Sequence, residues 1–216
     1  MTAWLSALND LSAYPLIALL GYVLGSSNMA IYHARLKGVD LKAGGTGNPG
    51  ASNTLILLGW RAAVLVAVHD IGKAALAVWL AGRLFPDLPW AGVVAGVGCV
   101  LGHMYPFYTH FHGGKGFASY LGMTLALDWK LALAVLAAVV VLLLITDYIV
   151  VCTLTTAVSV PAYYAATGRF AAAAVLCVAS AAIFWKHREN ITRIRSGTEI
   201  GFRSAGRGEH RIKRKK

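Results

Sequence analysis

Lys115 stands among glycines. Gly113, Gly114 and Gly116 surround it in the stretch 102–116, which also carries His103, His110 and His112. Glycines free the backbone to turn its N–H groups toward one point, and a lysine beside such groups suits an anionic oxygen. A second glycine run, Gly45-Thr46-Gly47-Asn48-Pro49-Gly50, leads into a helix through Ser52 or Asn53 as its cap. That arrangement also cradles an anion. A third polar cluster runs from Trp185 to Glu199; if helical, it places His187 and Asn190 on one side at i, i+3. Phosphate handling is the chemistry that the two glycine runs share. A basic cluster after a membrane helix usually anchors to anionic lipid, but His187 and Asn190 are not needed for anchoring and point to a role in a site.

Other chemistries fit less well. Gly45 to Gly50 matches G-x-G-x-x-G, but the dinucleotide fingerprint needs a preceding strand and a βαβ unit, and this run follows a hydrophobic helix. No Ser or Thr follows Lys115, so its loop is no Walker motif. His103, His110 and His112 have no carboxylate or thiol beside them, and no metal site is expected. Cys99, Cys152 and Cys177 lie in or beside apolar segments without CxxC spacing and read as packing residues. No cofactor is expected.

What must position these clusters is a membrane bundle. The 216 residues are 57% hydrophobic and 13% charged, with a mean hydropathy of +0.62. Those values describe an integral membrane protein. The N-terminus lacks a basic region and an A-x-A site, so the first apolar run, 11–34, is read as a retained helix. Further spans are expected over 61–82, 90–103, 148–166 and 169–187, and Gly92, Gly96 and Gly98 give the third helix a small-residue packing face. Within 61–82, Asp70 and Lys73 lie near the membrane midplane, where an unpaired charge costs about 2.5–3.5 kcal/mol. Their i, i+3 spacing supports two readings, a structural ion pair or a part of the site.

Parity decides how often the block 117–146 crosses. The regions 35–61, 103–116 and 186–216 hold sixteen of the twenty Lys and Arg. Short basic loops belong on the cytoplasmic side. If the loop 103–116 and the tail both lie there, the block must split at Asp128, which leaves Phe117–Leu127 shorter than a full span. The expected fold is all-α and polytopic, with about seven transmembrane helices, some of them short, and with cytoplasmic glycine-rich loops. It forms one membrane-embedded unit over 1–199, followed by a basic cytoplasmic tail over 200–216. The N-terminus lies outside and the C-terminus inside. The net charge of +11 is accounted for by this topology and by attraction of the tail to anionic lipid; no nucleic acid is expected.

Three groups of residues together resemble a known family. Gly25-Ser26 with Gly45-Thr46-Gly47-Asn48 and Ala51-Ser52-Asn53, then Gly102-His103 with Gly113-Gly114-Lys115-Gly116, then His187-Arg188-Glu189-Asn190-Ile191 with Gly197-Thr198-Glu199, are similar in order and spacing to the motifs of the bacterial acyl-phosphate:glycerol-3-phosphate acyltransferases. The resemblance spans Leu24 to Glu199. It implies a seven-helix bundle in the bacterial cytoplasmic (inner) membrane with a cytoplasmic active site. Acyl phosphate and glycerol 3-phosphate would be its substrates and lysophosphatidic acid its product. An acyl phosphate is already activated, so the enzyme has only to position reactants and stabilise charge. The resemblance implies that Lys115, Thr46, His187 and Asn190 act in catalysis. It implies that Gly45, Gly47, Asn48, Gly50, Asn53, His103, Gly113, Gly114, Gly116, Thr153 and Arg188 bind substrate.

Several positions depart from the family pattern. Thr46 and Thr153 stand where the family has serine, His112 where it often has lysine, and Ser27-Asn28 differ from the usual start of the first motif. Ile56 occupies the place of an arginine that helps to hold phosphate. Either Arg61, Lys42 or His112 compensates, or the substrate or role has shifted. The alternatives are therefore a paralogue with another acceptor or a non-catalytic lipid-binding role, and an anion transporter built from similar half-helices.

Overall fold

The computed structural model describes residues 2–208, with side chains from residue 12 onward. Residues 209–216 of the expected basic tail lie outside the described residues. Among the described residues all regular secondary structure is helical, as a lipid environment demands of backbone that finds no water to bond. The helices are α1 (Thr2–Ser26), α2 (Met29–Lys37), α3 (Ala51–Leu58), α4 (Trp60–Leu84), α5 (Ala91–Met104), α6 (Phe117–Leu127), α7 (Trp129–Thr146), α8 (Ile149–Ala166), α9 (Phe170–Arg195) and α10 (Phe202–Arg207). Six segments are long and apolar enough to cross a membrane, and the shorter apolar α6 joins them. The fold is thus that of a multi-pass membrane protein.

The split at Asp128 is borne out, with a local cause. Asp128 caps α7 by accepting the Leu131 N–H at 3.0 Å, while α6 ends just before it. Such a cap is worth about 1 kcal/mol. The short α6 shelters against α4: a Cβ on Gly122 would lie 2.1 Å from the Ile71 carbonyl oxygen. In contrast, α7 buries little beyond Ala132 and Val135 and turns Leu133, Leu136, Val140, Val141 and Leu144 outward, which suits lipid.

Four differences from the sequence reading bear on the site. The first crossing is not one helix, because it breaks at Ser27-Asn28, where Asn28 caps α2 by accepting the Ile31 N–H at 3.1 Å. The cap of α3 is Gly50, not Ser52 or Asn53; it lends backbone geometry and no side-chain hydrogen bond. The last long helix continues to Arg195, so His187 and Asn190 stand on regular helix. The short α10 was not anticipated at all; it packs beside α3, with Phe202 set edge-on against Trp60 at 5.2 Å.

The seam between α1 and α5 fixes the frame. A Cβ on Gly25 would lie 2.0 Å from the Cys99 carbonyl oxygen, and one on Gly102 would lie 2.1 Å from that of Tyr22. Gly98 joins this seam against Ala18, whereas Gly96 makes room for Met123 of α6 and Gly92 meets Val78 and Leu127. The glycine face read from α5 therefore serves three neighbours, α1, α4 and α6. Behind it, Met104, Tyr120, Met123, Leu176 and Ile183 fill the core.

Candidate functional site

The three motif regions enclose one cavity of about 120 Å³ where α3, α5, α6, α8 and α9 meet. Thr46, Asn48, Gly50, His103, Lys115, Gly116, Thr153, His187 and Asn190 line it. The glycine loop that bears Lys115 works differently from the expected nest of amides. The N–H groups of Gly113 and Gly114 are already committed to the carbonyls of Met104 and His103, each at 3.1 Å. The loop is pressed onto the end of α5 so closely that a Cβ on Gly114 would lie 2.0 Å from His103 Nε2. Gly116 has φ +91, a left-handed conformation that lets α6 start at once. Lys115, rather than a ring of backbone donors, is left to meet an anion.

The Lys115 ammonium donates a short hydrogen bond to Asn190 Oδ1. Asn190 Nδ2 donates to Glu199 Oε1 at 2.6 Å, and Arg193 Nε donates to Glu199 Oε2 at 2.6 Å. Lysine offers only donors and carboxylate only acceptors, so this chain fixes the orientation of the Asn190 amide. Burial is the largest effect on Lys115 and pulls its pKa down from the usual lysine value to about 8; the nearby Arg193 adds to this, and Glu199 opposes it.

Two buried histidines face the cavity in complementary states. His187 Nδ1 lies 2.8 Å from the Ile183 carbonyl oxygen, which requires its proton there and leaves Nε2 an acceptor in the neutral ring. His103 Nδ1 lies 3.0 Å from Lys73 Nζ, a donor, and 3.4 Å from Asp70 Oδ1, an acceptor; by the nearer contact the neutral ring is assigned its proton on Nε2, at Gly114. These tautomers are assigned from the hydrogen-bond partners. Asp70 and Lys73 form the expected ion pair, and it stands beside the cavity. Asp70 Oδ1 lies 2.8 Å from Lys73 Nζ and 3.4 Å from His103 Nδ1, while Asp70 also lines the cavity. Lys73 ties this network to the helix break by donating to the Ser27 carbonyl at 2.6 Å.

The first glycine run is shaped from below. Asn53 is fully buried; its Oδ1 accepts the Thr46 N–H at 2.8 Å and its Nδ2 donates to the Leu41 carbonyl at 2.8 Å. Gly45 and Gly47 take left-handed φ values of +60 and +67, so the loop folds tightly over Asn53. Gly45, Gly47, Asn53, Gly113 and Gly114 thus shape the wall without appearing on it. Thr153 reaches the cavity with its hydroxyl donating to the Ile149 carbonyl at 2.9 Å.

Arg188 requires correction. It is turned about 100° around α9 from His187, exposed and off the cavity, bonding the Trp185 carbonyl at 3.1 Å and stacking on the Trp185 ring. The proposed substitutes for an arginine at Ile56 also fall elsewhere. Ile56 lines the cavity and is 2% exposed, whereas Arg61 is exposed at the start of α4 and Lys42 and His112 border a different cavity. Sequence reasoning missed the apolar wall of Leu55, Ile149, Val150, Ile200 and Phe202. The signal for its last member was a phenylalanine standing alone in an otherwise basic tail.

Fold and site together define a multi-pass membrane protein whose cavity, part polar and part apolar, is built where helix ends and glycine loops meet. A family model described as glycerol-3-phosphate acyltransferase matches residues 15–197. The chain belongs to that family. It is 36% identical over 206 residues to the glycerol-3-phosphate acyltransferase of Bordetella pertussis, covering 92% of this chain and 95% of that protein. With the enzyme of the same name from Thermus thermophilus it shares 39% identity over 182 residues, 84% of this chain and 91% of the relative. Among solved structures it is similar to PlsY (YgiH), an integral membrane glycerol 3-phosphate acyltransferase. The glycerol 3-phosphate form superposes with TM-score 0.82 at 33% identity, covering 89% of this chain and 96% of that one. For the lysophosphatidic acid form the TM-score is 0.79 at 32% identity, with 89% and 98% covered.

Proposed function

We propose that this chain transfers a fatty acyl group from acyl phosphate to the 1-hydroxyl of glycerol 3-phosphate, giving lysophosphatidic acid for phospholipid synthesis. The carrying observation is the convergence of Lys115, His103, His187, Asn190 and Thr46 on one cavity. In the reaction the hydroxyl oxygen attacks the acyl carbonyl carbon. A new ester bond forms, the bond from that carbon to the phosphate oxygen breaks, and inorganic phosphate leaves with the electron pair and takes up the proton that the hydroxyl loses. Lys115 neutralises phosphate charge, and the Asn190–Glu199–Arg193 chain holds it in place. His187 Nε2 accepts from the attacking hydroxyl and orients it, while His103 Nε2–H donates toward the oxygen that gains charge. Thr46 offers a hydroxyl at the first glycine run, and Asn48, Gly50 and Thr153 shape the acceptor's place. The apolar wall around Phe202 suits the start of the acyl chain. The reading needs no metal or cofactor.

The chain lies in the bacterial inner membrane with its N-terminus outside and the cavity facing the cytoplasm. The support is the split of basic residues, sixteen near the cavity-side loops and tail against Arg83, Lys130 and Arg169 at the other end. Purified protein incubated with glycerol 3-phosphate and acyl phosphate should yield lysophosphatidic acid by lipid analysis. Absence of product despite normal lipid binding would shift the reading to another acceptor or to a non-catalytic paralogue, the possibility that Ile56 raises. In a cysteine-free background, a cysteine at Ser196 should resist an impermeant reagent added to intact cells; its labelling would overturn the orientation.

A further inference from the structure

A second and larger cavity, about 350 Å³, lies where the spans containing α2 and α5 reach the membrane surface. Its rim gathers Arg35 from α2, Lys42 from the next loop, and His110 and His112 from the loop after α5. Among the described residues, neither Arg35 nor Lys42 forms an ion pair. The carboxylate on the same rim, Asp40, is engaged: its Oδ1 accepts the Lys42 backbone N–H at 2.8 Å. That bond leaves Asp40 its charge, so with neutral histidines Arg35 and Lys42 outweigh Asp40 by one positive charge, and neither cation is paired with it.

Its walls are held, not loose. Asn28 Nδ2 donates to the Pro49 carbonyl at 3.2 Å, and Tyr108 OH donates to the Ser26 carbonyl at 2.7 Å, so both bordering loops are tied to the break between α1 and α2. Beside the rim, Leu36, Phe107 and Phe111 are exposed. The backbone forces part of that display: His110 and Phe111 both take left-handed φ values, 53 and 60, which few non-glycine residues adopt. Unmatched cations next to outward apolar side chains at the end of a membrane span fit an amphiphile with an anionic head. A free anion would use the cations and leave the apolar side chains without a role.

We propose that this second cavity binds the phosphate head group of an anionic phospholipid, with the acyl chains lying against Leu36, Phe107 and Phe111. Pro49 lines this cavity while its neighbours Asn48 and Gly50 line the catalytic one, so the bound lipid would sit directly behind the first glycine loop.

Native mass spectrometry of the full chain in detergent tests this, with phosphatidylglycerol, phosphatidylcholine and inorganic phosphate titrated separately. Phosphatidylglycerol should bind more tightly than phosphatidylcholine. The R35Q/K42Q variant should weaken phosphatidylglycerol binding about thirtyfold, about fivefold for each surface cation removed. R83Q/K130Q, which removes two cations from the other end, should change it less than threefold. Both Arg35 and Lys42 are exposed, so R35Q/K42Q should unfold at the wild-type temperature. K42E should weaken binding more than K42Q, a charge-dependent order that misfolding would not produce. Equal phosphatidylglycerol binding by wild type and R35Q/K42Q, or equal losses in the two double variants, would overturn the site. Loss of inorganic phosphate binding in R35Q/K42Q with phosphatidylglycerol binding intact would overturn the lipid as its occupant.

Discussion

The two ends of the bundle both carry an arginine or lysine beside a carboxylate, yet they differ in kind. At one end Lys115, Asn190, Glu199 and Arg193 form a partly buried relay between a loop, a helix and the turn after it. At the other, Arg169 reaches Asp128 at 4.0 Å, lies over the Tyr164 ring at 4.0 Å and remains more than a third exposed. Water screens the second pair and leaves it worth little. The first has lost most of that screening, and its charge must be met by protein or by substrate. Convergence of separate segments with partial burial separates a site from an ordinary polar surface here, since charge is common to both.

The largest test removes the charge at the buried end. Lys115→Ala should lower kcat/KM by about a hundred- to a thousandfold, as loss of a preorganised group in a water-poor site does. Near-wild-type turnover would erase the distinction between the ends. Glu199→Gln leaves Lys115 in place but weakens its hold through Asn190; a fall of about ten- to a hundredfold in kcat/KM is expected for a charge-assisted link. A fall confined to thermal stability, with kcat/KM unchanged, would make the relay purely structural.

The pH profile gives the next step. With its pKa drawn down to about 8, Lys115 is an ammonium below that pH and neutral above it. Phosphate binds the ammonium form, so kcat/KM should fall about tenfold per pH unit above 8. Lys115→Arg, whose side chain stays charged, should flatten that alkaline limb if it retains activity; an unchanged limb would assign it to another group.

Ile56→Arg should raise kcat/KM severalfold, because Arg61, Lys42 and His112 do not line the cavity. It should also lower the unfolding temperature, since a larger charged side chain enters a buried position. Unchanged or reduced kcat/KM would show that the cavity needs no further cation. Arg169→Ala anchors the comparison at its small end, with an expected change below about twofold. A large loss of activity there would break it.

The regular parts of the bundle were legible because lipid imposes a simple rule. Apolar length located the long spans, and the parity of basic loops placed the split at Asp128. What escaped was set by contact between distant segments. Nothing local in Gly113-Gly114 says that their amides are committed to the end of α5, because that depends on how closely the loop returns to His103. Arg188 sits one residue from His187, and only the helical continuation of α9 turns the two to different sides. The six-residue α10 is too short for periodicity to reveal and exists through Trp60 and through Asp147, whose carbonyl accepts the Phe202 N–H at 2.8 Å. Motif spacing identified which residues belong together, but not which of them show a side chain to the cavity and which merely bend the chain.

The glycine seam between α1 and α5 also affects how this protein would respond to genetic screening. Gly25, Gly98 and Gly102 have carbonyl oxygens where a methyl group would go, so even alanine there must pry two helices apart. Because the phosphate loop is bonded to His103 and Met104 in the last turn of α5, displacement of that helix would carry the loop with it. A saturation library scored by survival would therefore mark a line of intolerant codons running away from the cavity, as severe as those at Lys115. Read without the structure, that line would pass for a substrate tunnel through what is a solid joint.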